Sequence, residues 1–73
     1  MPPVVDEFLQ AARAEDRERM KLLLHPYLHW GRHDGTTLRG RRKVLAMLQE
    51  MGVPDRPAAV ELRDGQIYRW ETI

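Results

Sequence analysis

Apolar positions along this chain alternate between helical and extended periods, and the switches divide it into seven elements. Val4, Val5, Phe8, Leu9 and Ala12 recur at helical spacing, and Pro2 and Pro3 suit a helix start. A first helix is therefore predicted to about Ala14, with Asp6 and Glu7 in the first turn, where the helix dipole favours acids. Asp16 is placed to cap a second, shorter helix with Met20, Leu23 and Leu24 on its buried side. His25-Pro26 ends that helix, because a residue before proline is pushed out of the α region. Tyr27-Leu28-His29-Trp30 then alternates as a strand does, and Asp34-Gly35 predicts a tight turn into a second short strand. From Arg41 the period lengthens again, with Val44, Leu45, Leu48 and Met51 on one stripe. Gly52 stands where a left-handed helix stop belongs, with Pro54 beyond it.

The last segment reads as a hairpin. Ala58 to Arg63 and Gln66 to Thr72 flank Asp64-Gly65, a two-residue turn of the favoured kind. An unbroken register sets Leu62 opposite Ile67, Glu61 opposite Tyr68 and Ala59 opposite Trp70. One face then carries Ala58, Val60, Leu62 and Ile67, suited to helix cover, and the other carries Glu61, Arg63, Tyr68 and Trp70. The order α-α-β-β-α-β-β predicts an α+β fold: three N-terminal and central helices on one face of a curved, mainly antiparallel sheet, a truncated cone. The expected core is Phe8, Leu9, Leu23, Leu24, Leu28, Val44, Leu45, Leu48, Leu62 and Ile67.

Length and composition narrow the possibilities. Residues 1–73 make one domain, and a chain this short buries only about 60% of the surface its unfolded form exposes. Small domains of this kind often lean on disulfides, metals or a second subunit. With no cysteine, disulfides and thiolate metal sites are excluded. A formal charge of +1 argues against a general nucleic-acid or membrane-surface role. The opening Met1 to Asp6 has neither a basic start nor a long apolar run, so neither a signal peptide nor a membrane span is expected, and the default location is cytoplasmic.

Several phrases, taken in order, resemble the SnoaL-like (polyketide cyclase-type) branch of the nuclear transport factor 2-like superfamily. They are Ala14-Glu15-Asp16 through Met20 to Leu24, His25-Pro26, Leu28 with Trp30, Leu38-Arg39-Gly40-Arg41 leading into Val44 and Leu48, and Asp64-Gly65-Gln66-Ile67 with Trp70. The chain looks like a shortened member: relatives carry additional long strands between the third helix and the final strand. Tyr27 also stands where relatives commonly have an acid after His-Pro. The resemblance implies an apolar pocket between helices and sheet, shared by isomerases, dehydratases, cyclases and non-enzymatic binders. It implies Leu28 and Trp30 as pocket-side strand positions, and carries over no catalytic residue. Fold alone does not choose among these activities.

The candidate chemistry is sparse. His25, His29 and His33 recur every fourth residue, but Pro26 and Gly31 deny the helix that would bring them together. On an extended strand, at roughly 3.3 Å per residue, they spread too far to share an ion, so no metal and no cofactor is expected. His29, held on a strand, is of the residue type most often used as a general base, but the sequence identifies no group to orient it. The run Arg39-Gly40-Arg41-Arg42-Lys43 places cations at a helix start, where the dipole disfavours them. An anionic ligand there would offset that, as would contacts with Glu15, Asp16 or Glu18. Tyr68 and Trp70 could stack bases, although aromatics on a polar sheet face more often bury against another chain.

Two functional classes follow. The first is a small binding and assembly module, a homodimer through Glu61, Arg63, Tyr68 and Trp70, with a reduced pocket at Leu28, His29 and Trp30 for a small hydrophobic ligand. The second is a minimal isomerase, dehydratase or cyclase with His29 as base. The missing acid–base pair favours the first, with a second copy of the chain as partner and neither membrane nor nucleic acid expected.

Overall fold

A computed structural model describes residues 2–72. Helix α1 spans Pro3–Arg13 with a proline in its first turn, and α2 spans Arg17–Leu23. As predicted, Asp16 caps α2, its carboxylate accepting the Arg19 backbone N–H at 3.2 Å. Strands β1 (Leu24–Gly31) and β2 (Thr37–Arg39) follow, then helix α3 (Arg41–Met51), then β3 (Ala59–Arg63) and β4 (Gln66–Glu71). Gly40 and Gly52 bracket α3 with φ of 91° and 87°, a conformation that a residue with a Cβ adopts only with strain. Among the described residues no helix is long and apolar enough to cross a membrane.

The α+β architecture and the order of elements match the sequence reading. The four strands form one mixed sheet in the order β2-β1-β4-β3, with antiparallel pairs outside and the parallel pair β1–β4 in the middle. The helices pack on β1, β2 and β4, and leave the other face of the sheet open. Beneath them lies one core of Val5, Phe8, Leu9, Leu24, Leu28, Trp30, Val44, Leu48, Ile67 and Trp70, with Ala11, Ala12 and Met20 at its edge.

Three expectations need correction. Leu24 does not end α2 but opens β1, which therefore runs through Pro26, and its pairing with β4 slips between Leu24 and His29. Leu62 faces the core side but is 40% exposed, because β3 lies at the sheet margin, and Met51 likewise runs past the core to 65% exposed. The largest correction concerns Trp70. Leu62 does pair with Ile67, but Glu61 pairs with Arg69 and Val60 with Trp70, so Tyr68 is the extra residue of a β-bulge. Each bulge shifts alternation by one, which turns Trp70 onto the same face as Ile67. Trp70 is thus buried in its own core, 1% exposed, and does not share an exposed face with Tyr68.

The basic run also has an internal explanation. The Arg41 guanidinium donates to the carbonyls of Lys21 at 3.4 Å and Leu24 at 3.5 Å, where α2 ends. A cation that is unfavourable at the start of α3 thereby sits at the negative end of α2. The Gln66 amide reaches the same turn, donating to Leu22 O at 2.9 Å.

Candidate functional site

Adjacent rows of the sheet have opposite characters. On the helix side Leu38, Trp30, Trp70 and Val60 lie side by side across all four strands; on the open side Arg39, His29, Arg69 and Glu61 do. In the first row the Trp30 and Trp70 indoles stack at 4.4 Å and 6° from parallel. Phe8 of α1 meets Trp70 edge-on at 5.5 Å and Trp30 at 6.2 Å, a geometry that aromatic quadrupoles favour.

One end of this aromatic cluster opens into a cleft of about 360 Å³. Its apolar wall is Trp30, Trp70, Met47, Leu48, Met51 and Val53, and Arg32, His33, Asp34, Asp55 and Thr72 line its polar parts. Met47 and Met51 are one helical turn apart on α3, so both reach the same side. Met51 and Val53 stay 65% and 45% exposed at the cleft. The loop after α3 is tied back to α1 by Arg56, which donates to Asp6 at 2.7 Å.

Asp34 is committed to its turn. Its carboxylate accepts the Thr36 hydroxyl at 2.6 Å and the Thr36 backbone N–H at 3.0 Å. These two bonds, hydroxyl first, hold its pKa below the ordinary 3.8, and the nearby Arg32 charge adds to them. Such a group is a poor proton acceptor at neutral pH.

Of the residues expected to bind a ligand, Trp30 lines the cleft. Leu28 is fully buried in the core behind it. His29 points to the open face, its ring edge-on to Tyr68 at 5.5 Å, and so does not share a side with Leu28 and Trp30. His25 joins that outer group, 5.1 Å from Tyr68 and 3.9 Å from the Asp64 carboxylate, its Nδ1 accepting the Tyr27 N–H. Arg63 lies over the Tyr68 ring at 4.6 Å. Of the expected interface residues, Glu61 and Arg63 are exposed on β3, Tyr68 is half-buried on the open face, and Trp70 is withdrawn into the core. Among the described residues no three His, Cys, Asp or Glu side chains converge as a metal ion would require.

Sequence reasoning missed Met47, Met51, Val53 and the turn residues Arg32 and His33 as parts of one site. The signal available was Met51 and Val53, apolar residues at and beyond the helix stop, where no core is left to receive them. Comparison with protein-family models, with curated proteins and with solved structures finds no match.

Proposed function

We propose that the protein is a small SnoaL-like binding module that takes a flat, apolar molecule into the cleft beside Trp30 and Trp70. The observation that carries this reading is the pairing of an aromatic wall with apolar residues left in water at the opening, Met51 and Val53. Apolar groups concentrated at a concavity gain from being covered, and about 360 Å³ falls within the range of small-molecule sites. Methionine thioethers adapt to ring edges, so Met47 and Met51 suit an aromatic guest. Two groups that could have served as bases are engaged elsewhere: Asp34 is held by Thr36, and His29 lies on the other side of the sheet.

The test is a titration with naphthalene followed by tryptophan fluorescence, since both indoles of the chain border the cleft. Saturable quenching is expected, and it should be lost in a Met51→Asp, Val53→Asp variant that keeps its melting temperature. Absence of saturation up to the solubility limit, or unchanged binding in that variant, rules the proposal out.

A further inference from the structure

Strand β3 is the sheet's unfinished side. It has one hydrogen-bonded neighbour, β4, and it lies beyond the strands on which the helices pack. The helix-side row therefore fades across the last pair: Ile67 is fully buried, its partner Leu62 is 40% exposed, and Val60 is half-buried beside Trp70. The opposite edge is blunted in the usual way, for β2 has only three residues and ends in Arg39. β3 is longer, with five residues, and its two charges, Glu61 and Arg63, are of opposite sign. Ala59-Val60-Glu61-Leu62-Arg63 holds neither proline nor lysine, and the bulge that could turn an edge away lies on β4.

The sequence of β3 is complementary to itself. In an antiparallel pairing of two copies centred on Leu62, each Leu62 faces the other, and Glu61 of each copy faces Arg63 of the other. Leucines then meet on the helix side and two opposite-charge pairs form on the open side. Moving the centre to Glu61 would set like charges face to face, and a one-residue slip would set Leu62 against a charge. Within one chain neither Glu61 nor Arg63 has an ion-pair partner among the described residues.

We propose that two copies of the chain join through β3 in this register, making one eight-stranded sheet with all helices on the same side and Leu62 on the two-fold axis. The contact needs neither the cleft nor its ligand. Five residues a side is a small interface, so the dimer is reversible and concentration-dependent. Tyr68 and Trp70 take no part in it.

Sedimentation velocity over a wide concentration range, with Leu62→Lys alongside the parent, is the test. A lysine pointing inward at an edge blocks strand pairing, and the dissociation constant should rise by at least about tenfold. Naphthalene binding should be unaffected, which separates this outcome from that of the cleft. Should Leu62→Lys misfold, Glu61→Arg should disperse the dimer and Glu61→Arg with Arg63→Glu should restore it. The chain has no cysteine, so single cysteines report the register directly. Leu62→Cys should oxidise to a linked dimer faster than Glu61→Cys, since facing Cβ atoms on paired strands are about 4.5–5.5 Å apart. A monomer at every concentration, a dimer indifferent to Leu62→Lys but broken by Tyr68→Asp, or faster linkage through Glu61→Cys would each overturn the proposal.

Discussion

Trp30 and Trp70 face each other across the parallel strand pair, indoles stacked at 4.4 Å, although forty residues of chain separate them. The stack depends on the Tyr68 bulge, which rotates the end of β4 by one position.

This arrangement makes Trp70 and Tyr68 energetically unlike. Trp70→Ala should cost about 3–5 kcal/mol, as should Phe8→Ala beneath it, enough to unfold much of a domain this small. Tyr68→Ala, on the open face, should cost far less. Thermal melts of the three variants check this, and equal losses for Trp70 and Tyr68 would contradict the bulge. The exciton band of stacked indoles in circular dichroism should vanish in Trp30→Phe as well as in Trp70→Phe.

Arg41 should stabilise the protein through the end of α2. Arg41→Met keeps the aliphatic stem but loses the two carbonyl contacts, and should cost about 0.5–1 kcal/mol. For a domain of this size that is a few degrees in melting temperature, at roughly 4–8 °C per kcal/mol. Arg42→Met, without such contacts, should change little.

Asp34 should contribute an acid-sensitive component. Its pKa is lowered in the folded chain, chiefly by the Thr36 hydroxyl and then by the Thr36 N–H. A depressed carboxyl stabilises the fold above its unfolded value near 3.8, and that stabilisation disappears as pH falls through the lower folded value. Urea midpoints measured from neutral pH downward should therefore fall more steeply in the parent than in Asp34→Ala. Thr36→Val, which removes the largest cause, should lie between them.

Zinc should leave the melting temperature unchanged. A ligand at a hundred times its dissociation constant adds about 2.7 kcal/mol by mass action, which a melt would register easily. A chelator-reversible rise would reveal a site that His25, His29 and His33 do not form as they stand on β1 and its turn.

What could be read from the chain in advance follows the range of the interactions concerned. The Asp16 cap, the Asp64-Gly65 turn and the Val44–Leu48 stripe are decided within a few residues, and each stands where the pattern predicts. Local alternation separates Leu28 and Trp30 from His29, but the pocket-side reading of Leu28 and Trp30 rests on the family resemblance, and of the two only Trp30 lines the cleft. The bulge is not legible locally. Gln66 to Glu71 alternates plausibly in either of two phases, and only the pairing with β3 decides that Ile67 uses one and Trp70 the other. The cleft escaped for a related reason: its walls come from the end of α3, the loop after it, the β1–β2 turn and the end of β4, which nothing local links. For Arg41 the sequence leaves an anionic ligand and contacts with nearby acids both open, because the α2 carbonyls that occupy it lie about twenty positions earlier.

The strand order also has a kinetic side. The two outer pairs join neighbours in sequence, β1 with β2 and β3 with β4, and can close early as hairpins. The inner pair joins the first strand to the last, so its loop-closure entropy is the largest among the strand pairs and its contacts are slow to be rewarded. Until β4 arrives, Leu24, Leu28 and Trp30 have no neighbour on that side, and α1 has only half a floor on which to lay Phe8. The contacts among the three helices, β1 and β2 can form before then, but without β4 they leave the core floor incomplete. The core is complete only once Ile67 and Trp70 are in place beside β1, so the apolar side of that strand is the last to be covered.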